Sequence, residues 1–134
     1  MKISIDFDAT LTLNEVQSFV KRMISDGNEV WVVTSRYTTE FALTQGWSWV
    51  EEQNNSLFEL TDSIGIIRSN IHFTNNSDKI VFLKGKGFSF HLDDNENELV
   101  KIRISGDKCL PMNVCLSSWE EVLNETFNLK KDVS

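Results

Sequence analysis

The sequence predicts an α/β fold, a Rossmann-like parallel sheet flanked by helices in three layers and built as one domain over residues 1–134. Three observations carry this. Apolar strand patterns alternate with helical ones along the chain, with no proline-rich linker, low-complexity tract or internal repeat. The run Glu29-Val-Trp-Val-Val-Thr34 is nearly all apolar, as in a parallel strand covered on both faces. Several strand patterns end in polar or acidic residues, and the carboxyl ends of the strands are where such a sheet gathers ligands.

Element by element, Ile3, Ile5 and Phe7 mark a first strand. Thr12-x-x-Glu15 has the form of a capping box, and Val16, Phe19, Val20, Met23 and Ile24 then recur at helical spacing until Gly27 supplies a stop. Glu29 to Thr34 is the second strand. Tyr37 to Gln53 reads as a helix weakened by Gly46, with Trp47, Trp49 and Val50 as packing residues. Between Asn55 and Asn70 the apolar residues Leu57, Phe58, Leu60, Ile64, Ile66 and Ile67 must bury a face but follow no single period. Ile71 to Thr74 is a third strand, Asp78 to Lys86 a third helix, and Phe88 to Leu92 a fourth strand, with Gly85 and Gly87 breaking the chain between the last two. Glu96 to Ile104 fits a helix or, through Val100, Ile102 and Ile104, a strand. Asn113 to Leu116 reads as a short strand, and Ser118 as the cap of a last helix carrying Trp119, Val122, Leu123 and Phe127.

Composition narrows the class. A chain of 15.4 kDa with 40% hydrophobic residues can bury one core. A net charge of −7 and a pI near 4.8 disfavour a protein that grips nucleic acid by its phosphates, and the lysines cluster only weakly, at Lys79, Lys84 and Lys86 and at Lys130 and Lys131. A small phosphorylated ligand is easily accommodated. No apolar run approaches the ~20 residues of a membrane span, and MKISIDFD lacks the pattern of a signal peptide, so a cytoplasmic location is expected. Cys109 and Cys115 have neither a second pair nor a neighbouring histidine and read as reduced thiols. His72 and His91 sit within apolar strands and read as structural.

In a parallel sheet the strand ends share one edge. That edge would collect Asp6 and Asp8 from the first strand, Thr34, Ser35 and Arg36 from the second, and Asp93 and Asp94 from the fourth. Four carboxylates in one crevice repel each other unless a cation neutralises them, and oxygen-only ligands point to a hard ion, with Mg²⁺ the usual choice beside phosphate oxygens. Lys79, at the start of the third helix, can add positive charge.

These residues carry a resemblance. Asp6-Phe-Asp-Ala-Thr10 resembles the first motif of the haloacid dehalogenase superfamily, Asp-x-Asp-x-Thr after a strand, and Val32-Val-Thr34-Ser-Arg resembles its second. Lys79, followed by Phe-Ser-Phe-His-Leu-Asp93-Asp94, resembles its third and fourth, with Lys84 and Lys86 as rivals for the lysine. The resemblance implies a Mg²⁺-dependent phosphohydrolase with Asp6 as nucleophile, Asp8 as general acid and base, Thr34 bonding the phosphoryl group and Lys79 balancing charge. It further implies metal binding by Asp6, by Asp8 through its backbone carbonyl, and by one or both of Asp93 and Asp94, with Asp94 favoured. Phosphate contacts would come from Thr10, Thr34, Ser35, Arg36 and Lys79.

Two departures stand out. Ala9 occupies a position where members with this function commonly have glycine, and the spacing of the motifs leaves little room for the substrate-gating cap that many members carry. The expectation is therefore a small member with a minimal cap or none, acting on a phosphorylated metabolite or nucleotide, with Arg36, Tyr37 and Arg68 as candidate substrate contacts and oligomerisation open. The alternatives are a phosphate-binding module without turnover and a polynucleotide-end phosphatase. A phosphorelay receiver domain also uses Asp, Thr and Lys, but its acid pair precedes the phosphoacceptor strand, whereas Asp93-Asp94 comes late.

Overall fold

A five-stranded, all-parallel sheet organises the computed structural model, which describes residues 1–129; Lys130 and Lys131 lie outside the described residues. The strands are β1 (Lys2–Ile5), β2 (Glu29–Thr34), β3 (Ile71–Phe73), β4 (Phe90–Asp93) and β5 (Leu110–Asn113), in the order β3-β2-β1-β4-β5. The helices are α1 (Asn14–Ser25), α2 (Thr39–Thr44), α3 (Trp49–Ile64), α4 (Lys79–Leu83), α5 (Glu96–Ser105) and α6 (Trp119–Thr126). Among the described residues no helix is long and apolar enough to cross a membrane.

Period-2 alternation along the strands creates two apolar faces. Ile3, Ile5, Val30, Val32, Phe90 and Leu92 pack with residues of α1, α3 and α6, where the Phe19 and Trp119 rings meet edge to face with centroids 5.1 Å apart. On the opposite face Val33 and the half-buried Trp31 pack with Leu83 of α4 and Leu99 and Ile102 of α5. The three layers expected from the sequence are thus helices, sheet, helices. Strand order reverses between β1 and β4, so the carboxyl ends of these central strands flank the crevice where open parallel sheets bind ligands.

Several elements differ from the sequence expectation. The Thr12 capping box does not form: the chain first completes a wide turn over Phe7–Leu11, in which the Leu11 N–H donates to the Asp6 carbonyl at 3.1 Å, and Leu13 becomes the N-cap of α1. The helix expected from Tyr37 to Gln53 is two helices. Gly46, at φ 77°, ends α2, with the Trp47 N–H donating to the Ala42 carbonyl at 2.9 Å. Then α3 runs through most of the segment without a legible period, because its buried stripe, Val50, Asn54, Leu57, Thr61 and Ile64, includes two polar residues. The packing role expected of Trp49 does not hold: its side chain is 57% exposed.

The third strand stops at Phe73, and α4 spans only Lys79–Leu83, because Lys84 turns extended before Gly85 at φ 74°. The fourth strand is displaced toward its carboxyl end, pairing from Phe90 to Asp93 rather than from Phe88 to Leu92. Residues 96–105 form a helix, ended by Gly106 at φ 74°. The last strand is Leu110–Asn113, not Asn113 to Leu116. Pro111 obscures it in the sequence and is tolerated because β5 is an edge strand, while Asn113 to Leu116 forms a turn closed by the Leu116 N–H on the Asn113 carbonyl at 3.1 Å. Ser118 is the N-cap of α6 but makes no side-chain cap bond.

Ala9 is the point of backbone strain nearest the crevice, at φ 55° and ψ 18° in the left-handed region. An alanine there costs roughly 1–2 kcal/mol. Glycine relieves this but enlarges the entropy of the unfolded chain by ~0.4–1 kcal/mol. Ala9→Gly should therefore stabilise the protein by about 0.5–1 kcal/mol, read as a higher midpoint of urea unfolding at unchanged slope.

Candidate functional site

The end of β1 delivers Asp6 and the end of β4 delivers Asp93 and Asp94 to the crevice. Lys79, the first residue of α4, lies between them with its ammonium 2.7 Å from Asp6 Oδ1 and 2.6 Å from Asp93 Oδ2. All three side chains are buried. The backbone N–H of Lys79 donates to Glu98 Oε2 at 3.0 Å, so α5 holds the start of α4 in place. Of the rival lysines, Lys84 is exposed, and the Lys86 amine donates to the Phe82 carbonyl and lies over the Phe82 ring. Lys79 is the lysine that reaches the acids.

Asp93 is fully engaged. His91 Nε2 lies 2.7 Å from its Oδ2, and the Asn95 N–H donates to its Oδ1 at 3.0 Å. A carboxylate only accepts here, so His91 carries its proton on Nε2, and its Nδ1 accepts from Ser4 Oγ at 2.7 Å. Ser4 and His91 are register partners of β1 and β4 on the face that α4 and α5 cover. Reading His91 only as a strand histidine missed this support. The signal was present in its two-residue spacing from Asp93, which places both side chains on one side of the strand.

Burial raises the Asp93 carboxyl, but the hydrogen bond from His91 and the charge of Lys79 outweigh it and hold the group below the usual carboxylate range. Burial likewise disfavours the Lys79 cation, but Asp6 and Asp93 reverse that and raise its pKa. His91 is lowered by burial, which keeps the ring neutral. Asp6 is the exception. Burial, only partly opposed by Lys79, pushes its carboxyl from 3.8 up to about 8.

Asp94 is half-buried and less committed. The Thr10 hydroxyl lies 3.2 Å from Asp6 Oδ2 and 3.4 Å from Asp94 Oδ1, which links the two carboxylates. Oxygen atoms of Asp6, Asp93 and Asp94 fall within 4.8 Å of one another, and this all-oxygen donor set suits a hard divalent cation. The Asp8 carboxylate is outside this group: Arg36 grips it with both fork nitrogens, Nη2 to Oδ1 at 2.7 Å and Nε to Oδ2 at 2.9 Å. Nη1 of the same guanidinium donates to the Gln53 carbonyl at 2.8 Å, and its plane lies over the Phe7 ring.

Thr34 is buried at the end of β2, where its Oγ1 accepts the Arg36 N–H at 3.2 Å and keeps its own proton to donate. Ser35 is exposed beside it, its carbonyl accepting the Asn76 N–H at 2.8 Å. Tyr37 follows Arg36 and lines a cavity next to it. Arg68 is the expected contact that the fold removes. It precedes β3 at the opposite edge of the sheet and pairs with Asp62 at 3.0 Å. Cys109 is buried and Cys115 exposed, both free, and His72 stacks on Phe82 at 3.8 Å.

Two outcomes follow from this electrostatics. Lys79→Met leaves the ionised Asp93 buried without its cation and should destabilise the fold by about 3–5 kcal/mol, measured by urea unfolding. With a chelator present, the stability of the protein relative to Asp6→Asn should fall as pH rises from about 4 to about 8, because the unfolded chain ionises Asp6 near 3.8 while the folded chain retains the proton to about 8. A flat difference across that window would show that Asp6 is already ionised in the folded protein.

No protein-family model, curated protein or solved structure matches this chain.

Proposed function

We propose that the protein is a phosphohydrolase of the haloacid dehalogenase type, working with a divalent cation, for which Mg²⁺ is the natural candidate, and through a phosphorylated Asp6. The observation that carries this reading is the Asp6–Lys79–Asp93 arrangement at the β1/β4 switch point, with Asp94 and Thr10 beside it. Asp6 and Asp94 would hold the cation together with the backbone carbonyl of Asp8, while Asp93, already bonded to Lys79, His91 and Asn95, anchors the lysine. The bound ion would neutralise phosphate charge and lower the pKa of Asp6.

Asp6 then attacks phosphorus as a carboxylate: an O–P bond forms to its side chain and the ester P–O bond breaks. Asp8 donates a proton to the departing oxygen, then takes one from the water that attacks the phosphoaspartate and frees inorganic phosphate. Lys79 orients Asp6 and offsets charge, and the Thr34 hydroxyl donates to a phosphoryl oxygen. Arg36 occupies both Asp8 oxygens, so this pair must loosen for Asp8 to reach the leaving group.

The Arg36 grip also favours a second reading, a phosphate-binding module without turnover. One assay separates the two: phosphate release from phenyl phosphate and nucleoside monophosphates with and without Mg²⁺. Release should need the metal, disappear in Asp6→Asn, and fall about 10²–10⁴-fold in Asp8→Asn, which removes proton transfer. Wild-type turnover in Asp8→Asn would refute its role, and no release from folded, Mg²⁺-binding protein would favour the binding module.

A further inference from the structure

Arg36 belongs to two compartments. One side chain fixes Asp8 and also forms a wall of a concave cavity of about 330 Å³, completed by Tyr37, Trp47, Trp49, Gln53 and Asn54. This is the lower end of the size range of small-molecule sites. Its apolar walls come from a cluster around the α2–α3 corner. Tyr37 stacks on Phe41 with centroids 5.4 Å apart, Trp47 meets Tyr37 edge on at 5.2 Å, and Trp49 tilts against Trp47 at 6.4 Å.

This cluster is not buried core. Trp49, which lines the cavity, is 57% exposed, and Phe41 behind Tyr37 is 38% exposed, so much of the cluster remains in water. Hydrogen bonds tie the wall together. Asn54, 1% exposed, donates through Nδ2 to the Tyr37 carbonyl at 2.9 Å and to Thr39 Oγ1 at 3.2 Å, and Gly46 locks the end of α2.

A second observation points to a ligand. The lining side chains include no acid, and their one cation, Arg36, is already paired with Asp8, which matches an uncharged ring that stacks on indole and phenol faces.

We propose that this cavity is the leaving-group subsite, and that the substrate is a small phosphomonoester carrying a planar aromatic ring, as a nucleoside monophosphate does. The proposal rests on the phosphohydrolase reading. The phosphate would lie at Asp6 and the ring against Trp49, on either side of the Arg36 side chain. Trp49 is a specificity residue here, since it stands outside the acid cluster and bonds to none of it.

Two measurements test this. The first compares kcat/KM for adenosine monophosphate with that for glycerol phosphate in wild type, Trp49→Ala and Trp49→Phe. Wild type should favour the ring-bearing ester, and Trp49→Ala should reduce that ratio about tenfold, the scale of losing one base–aromatic stack, with Trp49→Phe restoring most of it. The second measures binding of adenosine monophosphate and inorganic phosphate to Asp6→Asn, with and without Trp49→Ala. The nucleotide should bind more tightly than phosphate, and only while Trp49 is present.

Metal-dependent hydrolysis of both esters with a ratio unchanged by Trp49→Ala would overturn the subsite and leave the phosphohydrolase reading standing. Conversely, no hydrolysis of either ester, with Trp49-dependent nucleotide binding retained, would overturn that reading while supporting the pocket.

Discussion

A buried ammonium between two aspartate side chains is the constraint on which the site depends. Lys79 cannot be buried unpaired, and Asp6 and Asp93 cannot both be ionised beside each other without it, so the three groups fix one another's positions. They come from the ends of β1 and β4 and the start of α4. Any shift of these elements breaks a charge-assisted hydrogen bond in a low-dielectric interior, where that loss is large. Ser4, His91 and Asn95 extend the network into the sheet and the following helix.

The network divides labour between two adjacent acids. Asp93 spends both oxygens on Lys79, His91 and the Asn95 N–H and is held ionised; its neighbour Asp94 touches Thr10 and stays partly open. Asp6 is poised differently, with burial favouring its protonated form. Such a crevice attracts positive charge, and a divalent cation entering it meets oxygen donors alone among Asp6, Asp93 and Asp94.

On the far side of Asp8 the character of the surface changes. Arg36 lies between acidic chemistry and an aromatic wall, bonded to Asp8 and to the Gln53 carbonyl of α3. The α2–α3 corner supplies that wall within the connection between β2 and β3, so the aromatic surface is part of the sheet's own crossover.

The site was more legible than the frame around it. Asp6, Asp8, Thr34, Asp93 and Asp94 were readable because strand ends in a parallel sheet share an edge whatever the helices do. The all-parallel sheet itself followed from alternating elements, and α1 from its strong 3.6-residue stripe. By contrast, α3 was hidden by Asn54 and Thr61, polar residues buried through hydrogen bonds, one to the distant Tyr37 carbonyl and one within the helix, that no periodicity reveals. Pro111 concealed β5, since only its place at the sheet edge makes a proline acceptable. The sequence alone determined which residue types reach the crevice. Tertiary structure decided that Lys79 is the paired lysine, that His91 supports Asp93, that Arg68 is remote and that Trp49 faces solvent, because these depend on side chains meeting across residues far apart in the chain.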